Sequence, residues 1–171
     1  MTRVTIIRAR VRDAAVIAVL RTAAGAVLTK QFGRGWWSSA VTERFVRFRI
    51  RNDEVYVVRR RGRIVATVTR GLKKPWSSDR SLYPVRGKPA WLIDLAVDPT
   101  CQRRGIGRAT VEAFVRRVRA AGADFVGLDA WDAPAGAGGF YRACGFRQVG
   151  RAAYRGTRLR YFLRQTAGGR R

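Results

Sequence analysis

The segment from Trp91 to Trp131 limits the fold more than any other part of the chain. "WLIDLAV" (Trp91–Val97) is an almost unbroken apolar run, as expected of a strand covered on both faces. Asp98 and Pro99 end it. From Gly107 onward Val111, Phe114, Val115 and Val118 recur at helical spacing, with Arg116, Arg117 and Arg119 off that face. Gly122 supplies a stop, and "DFVGLDAW" (Asp124–Trp131) is a second apolar run. Strand, helix and strand in that order form a right-handed crossover between two parallel strands. The connection before the helix, "CQRRGIGR", sets Gly105 and Gly107 among Arg103, Arg104 and Arg108. A loop that opens a helix offers unpaired N–H groups at the positive end of the helix dipole, a setting suited to an anion. The spacing alone also fits a basic surface turn. It is neither a dinucleotide fingerprint, since Thr110 stands where a third glycine is needed, nor a P-loop, since G-K-[ST] is missing.

Around this unit the remaining elements are antiparallel or helical. "VTIIRA" (Val4–Ala9) predicts a first strand, and Asp13 caps a short helix towards Leu20 that Gly25 closes. "AAVIAVL" within it reads as helix packed on the core, not as a cleaved leader. Val41, Phe45 and Phe48 fall at helical spacing and predict a second helix, with Glu43 near the positive end of its dipole, while the following "RFRIRN" also alternates. "VYVVRRRGRIVATVT" predicts a hairpin around Gly62. Gly71 to Pro89 holds three of the five prolines and reads as a long irregular loop, of the kind that often holds substrate. "PAGAGGFYRACGF" predicts a helix from Pro134 to Gly145, followed by closing strands "RQVGRAAY" and "RLRYFL". The expectation is an α+β fold with a mixed sheet: one domain over residues 1–166 and a frayed tail over 167–171.

Composition removes several chemistries. The 171 residues include no histidine, so neither a Ser-His-Asp triad nor a Cys-His pair can form. Cys101 and Cys144 have no CxxC spacing and no imidazole to help them, which excludes a zinc site. Both read as reduced thiols of a cytoplasmic protein. No apolar run reaches membrane-spanning length. The net charge is +25, from 32 arginines and 4 lysines against 11 carboxylates. With abundant Ala and Gly, this reflects GC-rich codon usage in part, and nucleic acid is expected to bind only non-specifically and in a salt-sensitive way.

Three segments together carry a family resemblance: "DLAVDPTCQRRGIGRATVEAF", "LDAW" and "GGFYRACGFRQVG". They resemble the Gcn5-related N-acetyltransferase (GNAT) superfamily over most of the chain, most closely bacterial members carrying "KKPW" and "LDAYDAPAGAGGFY" segments. Gln102-Arg103-Arg104-Gly105-Ile106-Gly107 matches that family's [RQ]-x-x-G-x-[GA] motif, and "FYRACGF" its Tyr-helix signature. The resemblance implies an acyl-CoA N-acyltransferase fold, whose parallel strands splay apart to admit the pantetheine arm. It implies that acetyl-CoA is the co-substrate and that no metal takes part. Main-chain groups of Leu95, Ala96 and Val97 would hold pantetheine and polarise the thioester carbonyl, and the amides of Arg103 to Arg108 would hold the diphosphate. Tyr141 would protonate the leaving thiolate.

The proton acceptor is left among Asp94, Asp129, Asp132 and an ordered water. Asp94 lies in an apolar strand, where a carboxylate is costly unless paired, so an ion pair with a nearby arginine is its rival role. Asp132 also fits as a cap for the helix at Pro134. One departure stands out: many relatives carry Asn before the Tyr helix, and this chain has Pro134-Ala135. Trp36, Trp37, Trp76, Tyr83 and Trp131 fit either a rim for the acceptor or cover for core edges. Cys144 reads as packing.

The expected activity is acetyl transfer from acetyl-CoA to a primary amine by direct attack in a ternary complex. The acceptor is a small molecule or a protein amine, and homodimers are common in the family. Two rival readings are a basic nucleic-acid or ribosome-associated module and a non-catalytic acyl-CoA sensor on the same fold. Against the first, the charge is scattered, with no recognition-helix, RRM, OB or zinc-finger signature.

Overall fold

A computed structural model describes residues 4–75, 77, 80–83 and 86–166. Seven strands form a mixed sheet in the order β1-β2-β3-β4-β5-β7-β6. They are β1 (Ile7–Arg8), β2 (Glu54–Arg60), β3 (Arg63–Gly71), β4 (Pro89–Val97), β5 (Phe125–Trp131), β6 (Arg147–Tyr154) and β7 (Thr157–Gln165). The four helices are α1 (Ala14–Phe32), α2 (Glu43–Asn52), α3 (Ile106–Ala120) and α4 (Gly138–Ala143). The α+β class, the hairpin, the crossover and the closing antiparallel pair are all as the sequence predicts. The chain divides into two compact units, Met1–Leu72 with Ile93–Phe114, and Lys73–Leu92 with Val115–Arg171.

In the first unit β2 and β3 pair antiparallel through a tight turn in which Arg61 and Gly62 have φ of 46° and 78°. Two successive positive φ values match the twist of a short hairpin. Alternation along the strands then sorts side chains to two cores. Val55, Val57 and Ile64 pack with Ile17 and Leu20 of α1 and Val46 of α2. Val58 and Val65 pack on the other side with Ile106, Ala109 and Ala113 of α3.

Three helical expectations in the chain are corrected. α1 does not stop near Gly25 but runs on to Phe32 and ends at Gly33, with φ of 79°. Gly25 is needed inside the helix because a Cβ there would lie 2.3 Å from the carbonyl oxygen of Trp37. Asp13 does not cap α1 with its side chain: its carboxylate accepts from the Arg10 N–H and pairs with Arg59. α2 forms as its spacing predicts, with Thr42 accepting from the Phe45 N–H at its start, but its inward residue is Val46. Phe45 and Phe48 stay 39% and 55% exposed. The first strand is also shorter than "VTIIRA", being confined to Ile7–Arg8.

In the second unit β5 pairs parallel with β4 and antiparallel with β7, which pairs with β6. Tyr83, Trp91, Phe125, Tyr161 and Leu163 make one core. Tyr83, buried at 2% exposure, donates its hydroxyl to the Leu128 carbonyl and touches the Trp91 ring edge-on. It is core, not rim. Phe162, on the other face of β7, packs against Tyr141 of α4. That helix begins at Gly138, not Pro134, since residues 133–136 form a turn closed by the Gly136 N–H and the Ala133 carbonyl. The glycines at 136, 138 and 139 carry the lowest helix propensity short of proline.

Gly25 and Gly139 separate propensity from clearance. Gly139, exposed and with open space at its Cβ, should gain roughly 0.5–1 kcal/mol on change to Ala. Gly25→Ala, with the same propensity gain, should instead lower the melting temperature, because main chain at Trp37 must move. Thermal unfolding of the two variants checks the sign of each.

Candidate functional site

The loop after β4 is braced from within. Asp98 accepts from the Thr100 N–H at 2.9 Å and the Thr100 hydroxyl at 2.7 Å. The hydroxyl and then the main-chain donor hold its carboxyl below the usual range. Gln102 donates its side-chain amide to the Val97 carbonyl at 3.1 Å. Arg103 and Gly105 are left-handed, with φ of 57° and 76°, and α3 opens at Ile106. The Ala109 N–H bonds the Gly105 carbonyl at 3.0 Å, so the N–H groups of Ile106, Gly107 and Arg108 precede the helix's own acceptors. Ile106 is buried beneath, at 1% exposure, which fixes where those donors stand. Arg103, Arg104 and Arg108 are exposed. None of the ion pairs among the described residues uses them. Braced donors with mobile cations beside them suit a ligand carrying several negative charges.

The strand that feeds the loop runs from Pro89 to Val97 with a left-handed residue within it, Asp94, whose φ is 55°. Its carboxylate meets Arg21 Nη2 at 2.6 Å and Arg49 Nε at 3.3 Å. The second approach is Coulombic only, since Arg49 Nε and Asp94 Oδ2 are both buried and neither makes a hydrogen bond there. Arg49 also reaches Asp53 at 2.9 Å, and both arginines lie over the Phe45 ring. The pairing considered for Asp94 from its apolar strand is therefore present, twice. Beyond it Leu95, Ala96 and Val97 are half-buried, Ala96 packing with the α1–α2 core and Val97 with the α3 core. Among the described residues the parallel β4–β5 ladder ends at Trp91 opposite Gly127, before Asp94 is reached.

In the second unit, Asp129 sits on β5 opposite Tyr161 of β7. Burial raises its pKa, and a hydrogen bond from the Ser77 hydroxyl opposes the rise. Asp132 differs. It binds Arg160, with Arg151 at 3.7 Å, and its carboxyl is held low chiefly by the Arg160 hydrogen bond. It does not cap α4, which starts after Ala137. Tyr141 is 7% exposed on α4, edge-on to Phe140 and Phe146. Cys144 is buried and Cys101 half-buried, and neither is in a disulfide. Trp76 lies outside the described residues, as does the 167–171 tail. Trp36 is 69% exposed, while Trp37 is tied to the Gly33 carbonyl.

Motif spacing is enough to find the loop, but nothing local in the sequence points to Arg21, Arg49 or Ser77, which lie 73, 45 and 52 positions from their carboxylates. Among the described residues no group of three His, Cys, Asp or Glu could hold a metal, and no helix is long and apolar enough to cross a membrane.

Comparison with known proteins gives this arrangement a class. The acetyltransferase (GNAT) family profile matches residues 24–146, and the chain belongs to that family. It is an acyltransferase that uses acetyl-CoA. Among solved structures, the ribosomal-protein-S18-alanine N-acetyltransferase of Escherichia coli superposes with a TM-score of 0.70 at 17% identity, over 97% of this chain and 96% of that one. The acetyltransferase yncA of Salmonella typhimurium, solved with its cofactor acetyl-CoA, gives 0.67 at 17% identity, over 99% and 98%. The ribosomal-protein-alanine N-acetyltransferase of Brucella melitensis gives 0.66 at 17%, over 94% and 98%. At such identities they establish the fold. No curated protein matches the chain. N–H groups at the start of α3, a left-handed backbone at Arg103 and Gly105, and three exposed arginines without an ion pair among the described residues suit a diphosphate, so the residues present fit the donor.

The raised pKa of Asp129 has a stability consequence of fixed sign. A carboxyl whose folded pKa lies above its unfolded value stabilises the fold in acid, and that contribution is lost as pH rises through the folded pKa. Asp129→Asn should therefore raise stability relative to the parent at neutral pH and lose that advantage below about pH 4, the unfolded carboxyl range. Denaturant unfolding at both pH values measures it.

Proposed function

We propose that the protein acetylates a primary amine by direct attack within a ternary complex. The observation that carries this reading is the braced loop from Gln102 to Arg108, with its left-handed backbone and unpaired helix N–H groups. Its amides bind the diphosphate, and Arg103, Arg104 and Arg108 add charge that long side chains can adjust. Main-chain groups of Leu95, Ala96 and Val97 hold the pantetheine arm and polarise the acyl carbonyl, a preorganised electrostatic contact. Acetyl-CoA supplies the acetyl group already activated as a thioester.

Asp129 is the proton acceptor for the attacking amine. Asp94 is committed to Arg21 and Arg49, whereas Asp129 makes no ion pair among the described residues and has a raised pKa. A carboxylate with a raised pKa is a better general base near neutral pH than an ordinary one. Tyr141 gives its phenolic proton to the departing sulfur as the nitrogen–carbon bond forms and the carbon–sulfur bond breaks. Its burial among Phe140, Phe146 and Phe162 fixes the ring.

The acceptor is a small-molecule or protein amine. Support for the protein class comes from the Escherichia coli and Brucella melitensis neighbours, which are named for acetylating alanine of ribosomal proteins. The chain acts as one domain over residues 1–166.

Two substitutions test the roles. Gly107→Glu puts a carboxylate at the first turn of α3 and should weaken acetyl-CoA binding by at least ~100-fold, about 2.7 kcal/mol. Unchanged affinity in that variant would make the loop assignment wrong. Tyr141→Phe should keep acetyl-CoA affinity and lower turnover by ~10²–10⁴-fold. Binding calorimetry and thiol release with an accepted amine give the two readouts.

A further inference from the structure

Asp129 is set apart from the carboxylates that arginines hold: like Asp98, it takes a hydrogen bond from a neutral hydroxyl. Asp13, Asp53, Asp94, Asp132, Glu43 and Glu54 each pair with at least one arginine. Asp129 instead takes one hydrogen bond, to Oδ2 from the hydroxyl of Ser77, and among the described residues none at Oδ1. Ser77 belongs to the segment between β3 and β4, 52 positions away in the chain, so fixing that hydroxyl over β5 requires a tether. The structure has one: the Tyr161 hydroxyl donates to the Ser77 main-chain carbonyl. Tyr161 lies directly opposite Asp129 in the β5–β7 ladder, which puts the two side chains on the same face of the sheet. Phenol, serine and carboxylate thus form one chain of contacts anchored in the core around Tyr83 and Trp91.

We propose that Ser77 is a positioning residue for Asp129. Its hydroxyl, tethered through Tyr161, holds Oδ2 and leaves Oδ1 turned out to accept a proton. The role rests on Asp129 being the proton acceptor of the acetyl transfer.

The groups around Asp129 give Ser77 its leverage. From β7 the facing titratable group is Tyr161, while Arg160 beside it is taken by Asp132. From the segment before β4, Lys74 turns to the Pro75 carbonyl and Arg80 lies over the Phe125 ring. From β4 the ladder brings Trp91 opposite Gly127, and neither titrates. Among the described residues no ion pair reaches this half-buried carboxylate, so burial drives its pKa up and the Ser77 hydrogen bond opposes the rise. A neutral donor serves a base better here than an arginine would: it favours the charged form without holding the carboxylate too acidic to accept a proton.

The test is direct titration of Asp129 by carbon-13 NMR of protein labelled at the aspartate carboxyls. The chain has only eight aspartates, and Asp129→Asn identifies the resonance. Ser77→Ala should move the Asp129 midpoint to higher pH, Tyr161→Phe should move it the same way by less, and Ser77→Thr should leave it near the parent value. A midpoint unmoved in Ser77→Ala overturns the proposal. If that variant fails to fold, an unmoved midpoint in Tyr161→Phe does the same. Undiminished acetyl transfer by Asp129→Asn, with the amines the parent accepts, overturns instead the proton-acceptor reading on which the role depends. That outcome is separable, because the titrations do not involve turnover.

Discussion

A carboxylate in the middle of an apolar strand is destabilising unless something holds it, and in β4 two arginines hold Asp94. Arg21 comes from α1 and Arg49 from α2, and both cover the ring of Phe45. The backbone at Asp94 is left-handed, a state that costs an L-residue about 1–2 kcal/mol and that aspartate tolerates better than most. Removing both arginines would leave the Asp94 charge stranded in a half-buried place, the expensive way to break an ion pair. The consequence runs along the strand. β4 is paired with β5 only as far as Trp91, turns at Asp94, and continues through Leu95–Val97 into the braced loop that opens α3. The left-handed residue in this strand is held by an ion-pair cluster rather than supplied by a glycine.

The charge of the chain has the same logic. With 36 basic residues against 11 acidic ones, most arginines can have no carboxylate of their own. Those that do are structural: Arg59 ties Asp13, Arg70 ties Glu54 and Arg160 ties Asp132. The unpaired cations at Arg103, Arg104 and Arg108 differ from the rest less in sign than in what stands beside them. A dispersed positive field attracts any polyanion, whereas fixed N–H donors at a helix start select for a phosphate at one place.

Much of this was legible in the residues. The hairpin at Gly62, the crossover from Trp91 to Trp131 and the closing strands follow from periodicity and turn chemistry, which act over a few residues. The loop motif and the Tyr helix could be found because their spacing is short. What could not be read depends on contacts between distant positions. Nothing near Gly25 says that the Trp37 carbonyl will fill the space of its missing Cβ, so a helix of 19 residues looks as though it should end early. Phe45 and Phe48 have core spacing, yet Phe45 lies under two arginines and Val46 takes the inward place. Pro134 looks like a helix start, but residues 133–136 form a turn, with the Trp131 carbonyl filling the space of a Cβ at Gly136, and α4 opens at Gly138. The environment of Asp129 depends on Ser77 and Tyr161, brought together only by the fold.

The central claim is that the loop at the head of α3 binds acetyl-CoA specifically, not merely as one polyanion among many. Calorimetric titration of nuclease-treated protein with acetyl-CoA at physiological ionic strength, beside a short oligonucleotide, tests it most directly. Saturable one-site binding of acetyl-CoA that persists as salt is raised, while the oligonucleotide signal collapses, is the expected result. Heat from the oligonucleotide with none from acetyl-CoA would contradict it.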